Sequence, residues 1–153
     1  MSAIDGVAWT LARLDDLPPR ALYALLQLRS EVFIVEQACA FQDLDGSDGH
    51  ALHLMGHIEE HLVAYARCFG PGVKFPQASL GRVATRGSAR GNGLGHALLV
   101  RAMASVGEQW GVQPIRVGAQ ARLQMFYRSH GFVDMALPYV EDGIEHLEML
   151  WQP

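Results

Sequence analysis

The sequence is poor in lysine, cysteine and long apolar runs, and each scarcity excludes a class of protein. Lys74 is the only lysine; arginine supplies the other 11 of the 12 basic residues, against 16 acidic ones, for a formal charge of −4. A nucleic-acid binder normally carries a basic domain or stripe, so no nucleic-acid partner is expected. No apolar stretch approaches the roughly 20 residues that span a bilayer, so no membrane partner is expected either. Cys39 and Cys68 lack metal-ligand spacing and are too few for a disulfide framework. They read as two reduced thiols in a cytoplasmic protein. Residues 1–5 place no positive charge ahead of an apolar stretch, so a secretory leader is not expected. What is plentiful is core-forming material. Half of the 153 residues are hydrophobic, enough for one domain spanning residues 1–153.

Hydrophobic periodicity predicts a mixed α/β chain. Residues 7–14 alternate like a strand. Pro18 and Pro19 open a helix, since proline is tolerated in a first turn. Leu22, Leu25, Leu26, Val32 and Phe33 share one face of that helix, which fades near Glu36-Gln37. Residues 41–50, with Asp43, Asp45, Asp48, Gly46 and Gly49, read as a loop. Residues 52–59 and 62–69 form a predicted hairpin around Glu60-His61. A short strand over 79–85 runs into a glycine-rich turn and a helix from Leu94 to Gln109, closed by Gly111. A strand over 114–119 then leads to a short helix over 121–130, stopped by Gly131. Strands over 132–135 and 146–151 complete the order β-α-β-β-β-α-β-α-β-β, a mixed central sheet flanked by helices.

Two arrangements bring metal to mind, and neither has the right spacing. Counted from Asp43, an EF-hand would need Asp where Ser47 stands, Gly where Asp48 stands and Glu where Leu54 stands. His53, His57 and His61 recur every four residues, but on strands such residues lie too far apart to share an ion. No metal is expected.

The most informative segment is Ser79-Leu80-Gly81-Arg82-Val83-Ala84-Thr85, followed by Arg90-Gly91-Asn92-Gly93-Leu94-Gly95-His96. A strand feeds a glycine turn that opens a helix, whose first N–H groups have no intrahelical partner and lie at the positive end of its dipole. That geometry binds anions, and Arg90 adds a charge suited to phosphate oxygens. A Walker A loop would need Gly-Lys-Ser/Thr, which is missing. A dinucleotide fingerprint would need a third glycine or alanine where His96 or Leu98 stands.

Arg90-x-x-Gly93-x-Gly95 resembles the pyrophosphate-binding pattern of the GNAT N-acetyltransferases. The segment Ile115-Arg116-Val117-Gly118-Ala119-Gln120, then Phe126-Tyr127 ending at Gly131-Phe132, is similar to a second GNAT motif, with Gln120 where many members have Asn. Leu28-Arg29-Ser30-Glu31-Val32-Phe33, Glu36-Gln37, Cys39, Asp43, Asp45-Gly46, His53, Ala66-Arg67 and Glu141-Asp142-Gly143-Ile144 with His146 narrow the resemblance to the ElaA-like subfamily. The matches run from about residue 9 to 149; Ala40, Phe41 and Glu145 depart from the pattern.

The resemblance implies a GNAT acyltransferase fold and transfer of an acetyl group from acetyl-CoA to an amine in a ternary complex. It places the strand residues Arg82, Val83, Ala84 and Thr85 beside the pantetheine arm. The turn residues Arg90, Gly91, Asn92, Gly93, Leu94, Gly95 and His96 take the pyrophosphate, with Gln120 and Phe126 completing the cofactor site. A backbone N–H near Val83 would face the thioester oxygen. Tyr127 is the expected proton donor to the leaving thiolate. For the base, His53, Glu36 and His146 stand as equal candidates beside bulk water. The acceptor is a small-molecule or peptide amine. The acidic residues from Asp43 to Asp48 either line its pocket, which suits a cationic amine, or form a solvated loop. A homodimer and a non-catalytic acyl-CoA-binding sensor or interaction module remain open.

Overall fold

Alternation along one strand divides the interior in two: Ala64, Ala66 and Cys68 face one apolar core, while Tyr65 between them faces another. The structure, a computed structural model, describes residues 6–153; the five residues on which the reading about a leader rests lie outside the described residues. The strands are β1 (Val7–Arg13), β2 (Leu52–Ile58), β3 (His61–Phe69), β4 (Ala78–Thr85), β5 (Ile115–Gln120), β6 (Val133–Glu141) and β7 (Ile144–Trp151). The helices are α1 (Pro19–Arg29), α2 (Leu94–Trp110) and α3 (Gln124–Arg128). Together they make one seven-stranded mixed sheet of order β1-β2-β3-β4-β5-β7-β6, in which only the β4–β5 pairing is parallel.

Helix α2 covers one face of the sheet, burying Leu94, Leu98, Leu99, Ala102 and Val106 against β3, β4 and β5. Helix α1 covers the other face with Leu25 and Leu28, against Met55, Leu62, Tyr65 and Ala84. Gly111 ends α2 at φ +88° and Gly131 follows α3 at φ +92°, positive values that glycine adopts without a Cβ clash. No helix of the described residues is long and apolar enough to cross a membrane.

Three local expectations are corrected. The first helix is α-helical only to Arg29 and is wound more widely, as a π-helix, over Ser30–Glu36. Such π turns are frequent at functional sites, and this one carries Val32, Phe33 and Glu36 to the wall of a cleft. The third helix is shorter than predicted, with a 3-10 turn over Ala121–Leu123 ahead of it. The strand predicted over 132–135 runs on to Glu141 through Pro138. Proline is tolerated there because β6 is an edge strand with a register shift between Asp134 and Pro138.

Two irregularities position the site. Strands β4 and β5 pair only through Ala78–Ile115, Ser79–Arg116 and Leu80–Val117, and beyond these they part. Strand β4 also bulges against β3: Arg67 pairs with Gly81 and Tyr65 with Ala84, leaving one extra residue on β4. Arg82 lies in that bulge at φ +50°.

Candidate active site

Where β4 and β5 part, the sheet opens into a cleft of about 1060 Å³. Its walls include Gly81, Arg82, Val83, Ala84 and Thr85 from β4, and Val117, Gly118 and Gln120 from β5. The edge of β4 that β5 has left carries backbone groups with no partner strand on that side. A buried backbone edge of this kind calls for a ligand or water to complete its hydrogen bonds.

At one end of the cleft stands the N-terminus of α2. Its cap is Gly93 at φ +84°, with no side chain to accept from the first turn, and the first intrahelical bond runs from Ala97 N–H to the Gly93 carbonyl. The N–H groups ahead of it are therefore free to bind an anion. Gly91, at φ +97°, has open space where a Cβ would be. Gly95 and Phe126 line the cleft and touch each other's space, whereas the Leu94 side chain is buried in the core and offers only its backbone. His96 is exposed and shares a proton contact of 2.8 Å with His130. Arg90 is turned back: its Nε and Nη2 donate to the Thr85 carbonyl, and Nη2 also to Glu36 Oε2 at 2.9 Å.

The acid and base candidates separate. Tyr127 is buried and lines the cleft, and its hydroxyl has no hydrogen-bond partner among the described residues. Burial pushes its phenol up to about 12. His146 lines the cleft, stacked on Tyr139 with ring centroids 5.1 Å apart. Its Nδ1 lies 2.8 Å from the Ile144 carbonyl, which can only accept, so Nδ1 is the donor there. Glu36 also lines the cleft but is tied to Arg90. His53 does not fit the expected role. It is fully buried, its Nε2–H donates to the Asp48 carbonyl at 2.9 Å, and its Nδ1 accepts from the Tyr65 hydroxyl at 2.6 Å. Both of its ring nitrogens are thus engaged with residues that do not line the cleft.

Residues 23–153 match the family described as "Acetyltransferase (GNAT) domain". The chain belongs to the GNAT acetyltransferase family. It is 39% identical over 145 residues to ElaA of Escherichia coli, covering 94% of this chain and 95% of ElaA. The crystal structure of Escherichia coli ElaA superposes with a TM-score of 0.87 at 38% identity, over 95% of this chain and 99% of that one. An acyl-CoA N-acyltransferase from Pseudomonas aeruginosa gives a TM-score of 0.88 at 41% identity, with the same coverage of 95% and 99%. The ElaA-like grouping and the mixed-sheet GNAT fold read from the sequence are thus borne out, and acyl transfer is the chemistry of the family.

The carboxylates of the acidic loop are paired with arginines from the helix and sheet. Asp43 binds Arg29 Nε at 2.9 Å and Arg82 Nε at 2.7 Å; Asp48 binds Arg29 Nη1 at 2.7 Å and Arg67 Nη1 at 3.1 Å. Asp45 takes Arg67 in a two-pronged contact at 2.8 and 2.9 Å. These pairings hold the Asp45 and Asp48 carboxyls below the usual carboxylate range. Arg29 is fully buried at the centre of the cluster. Its place could have been seen: it lies four residues after Leu25 on the apolar face of the first helix, where a charge must find partners.

Sequence reasoning missed two further features. Gln120 Nε2 donates to Gln37 Oε1 at 3.1 Å, and the Cys39 thiol donates to the Asp142 carbonyl at 3.3 Å, linking the end of the first helical segment to β5 and to the β6–β7 turn. Tyr139 also lines the cleft, on the part of β6 beyond the strand expected over 132–135. Gly118 is glycine because Tyr139 crosses it: a Cβ there would collide with the Tyr139 hydroxyl.

Proposed function

We propose that the whole chain works as one N-acetyltransferase domain, moving the acetyl group of acetyl-CoA directly to an amine held in the same cleft. The observation that carries this is the convergence on one cleft of an uncapped helix N-terminus, the free edge of β4 and the unpartnered Tyr127 hydroxyl. Acetyl-CoA supplies the activated thioester. Everything else is asked of the chain's own groups.

The first α2 N–H groups and the glycine turn hold the pyrophosphate, where backbone donors and dipole act together. The freed edge of β4 pairs with the pantetheine amides, and an N–H near Val83 stabilises the oxygen on which charge develops. Transfer forms a C–N bond and breaks the C–S bond, so one proton must leave the nitrogen. A free alkylamine is mostly protonated near neutrality, with a pKa of about 10.4. In this reading His146, which lines the cleft with Nδ1 engaged by the Ile144 carbonyl, accepts that proton at Nε2, directly or through water.

Magnitudes change the role of Tyr127. A phenol held at about 12 lies about 3.5 units above an ordinary thiol near 8.5, and full proton transfer to the departing thiolate would cost about 5 kcal/mol. Tyr127 therefore stabilises the thiolate by donating a hydrogen bond while keeping its proton. The test is release of free thiol from acetyl-CoA by the purified chain, with a panel of amines, and detection of the acetylated amine by mass spectrometry. Acetyl-CoA binding without thiol release for any amine would reject catalysis in favour of a carrier or sensor.

A further inference from the structure

On the side of the cleft where Asp45 lies, the charges are locally out of balance. Arg67, Arg82 and Lys74 all converge on the single carboxylate of Asp45: Arg67 at 2.8 Å, Arg82 at 3.5 Å and Lys74 at 3.7 Å. Behind them Arg29 draws on Asp43 and Asp48, which also serve Arg82 and Arg67. Four cations therefore share three carboxylates, which leaves this cluster with an excess of one positive charge. His53, beside Asp48, does not change the count, because burial holds its pKa below the ordinary 6.5 and keeps it neutral near pH 7. On the β6–β7 side of the cleft the charged groups are Glu141 and Asp142, with His146.

A second, independent observation points the same way. Arg67 is only 3% exposed and lines the cleft, yet its Nε–H has no hydrogen-bond partner. Buried donors are rarely left unsatisfied, least of all on a charged group. The cations are also fixed in place. Arg67 and Lys74 lie over the Phe69 ring, 5.2 and 5.5 Å from its centroid, and Arg82 lies 5.5 Å from that of Phe41. Rigid cations over an apolar floor make a preorganised seat for a small anion.

We infer that the acceptor is an amine that also carries a carboxylate, seated among Arg67, Lys74 and Arg82 so that its amino group faces the thioester. This rests on the acetyl-transfer reading and narrows it: a polyamine or other purely cationic acceptor would find carboxylates only at Glu141 and Asp142 and would leave the excess charge beside Asp45 uncompensated. A monoanion matches the single charge left over.

Matched pairs of amines test this: phenylalanine against 2-phenylethylamine, leucine against isopentylamine, and 4-aminobutyrate against butylamine, each by thiol release with the full-length chain. The carboxylated member should win in kcat/KM by about tenfold or more, the size of one lost charged contact. Lys74→Gln should shrink that preference severalfold. Calorimetry with the N-acetylated acids and their primary amides, in the presence of coenzyme A, should show the same preference without turnover. Preference for the uncarboxylated members, failure of every carboxylated amine to react, or an unchanged ratio in Lys74→Gln would overturn the inference. Failure of the chain to bind acetyl-CoA at all, read in a separate titration, would instead overturn the acetyl-transfer reading.

Discussion

The Arg82 guanidinium grips Asp43 at 2.7 Å while its own backbone sits at φ +50° inside β4. A residue with a Cβ is strained by about 1 kcal/mol or more in that conformation. The grip and the strain belong to one device: Asp43, itself held by Arg29, keeps the bulge of β4 turned toward the cleft.

Arg82→Ala and Arg82→Gly both remove the grip, but only the glycine variant also removes the strain. The glycine variant should therefore be more stable than the alanine variant by about 1 kcal/mol, the reverse of the usual order within a strand. Urea unfolding of the two proteins measures this. An alanine variant as stable as the glycine one would mean that Arg82 does not occupy the left-handed region in solution.

Gly95→Asp separates binding from folding. A Cβ at this position meets only the Phe126 ring, at 3.6 and 3.8 Å, which is ordinary contact. A carboxylate in the first turn of a helix also suits the dipole, so melting should move by about 2 °C or less. The same carboxylate faces the proposed pyrophosphate seat, and calorimetry should find acetyl-CoA binding weakened by about a hundredfold or more. Unchanged affinity would remove the α2 N-terminus from the cofactor site.

Stability should fall on mild acidification. Burial lowers the pKa of His53, against the smaller opposing effect of Asp48, and burial lowers those of His57 and His130 as well. The unfolded chain takes up protons near pH 6.5 while the folded one resists, so stability is complete above that pH and drops as pH falls below it. Each histidine contributes a slope of at most about 1.4 kcal/mol per pH unit. His53→Gln should be less stable at pH 7 yet show a shallower decline between pH 7 and 5 in urea titrations. An unaltered slope would mean that His53 is not held neutral by its surroundings.

Most of the architecture was legible because its signals are local. The stripe of α1, the alternation of β2 and β3 and the glycines at 93, 111 and 131 each encode their own element. The anion-binding turn was legible for the same reason. The rest depends on residues far apart in sequence. Pro138 argues against a strand until β6 is known to lie at the sheet's edge, where a missing N–H is harmless. His53 has the chemistry of a base, and only its contacts with Tyr65 and Asp48 remove it from the cleft. Asp43, Asp45 and Asp48 look like a solvated loop until Arg29, Arg67 and Arg82 arrive from a helix and two strands to pair with them.

The central claim is that this cleft transfers an acetyl group with help from the Tyr127 hydroxyl, and the most direct test compares the wild-type chain with Tyr127→Phe at saturating acetyl-CoA. The hydroxyl has no partner among the described residues, so its removal should leave the melting temperature and acetyl-CoA affinity as they were. Wild-type protein should release thiol in step with acetylated amine, and Tyr127→Phe should lower kcat by on the order of 10²-fold, the size of one lost donor to developing charge. A variant that turns over normally but melts earlier would contradict the account, because Tyr127 would then be a packing residue and not part of the chemistry.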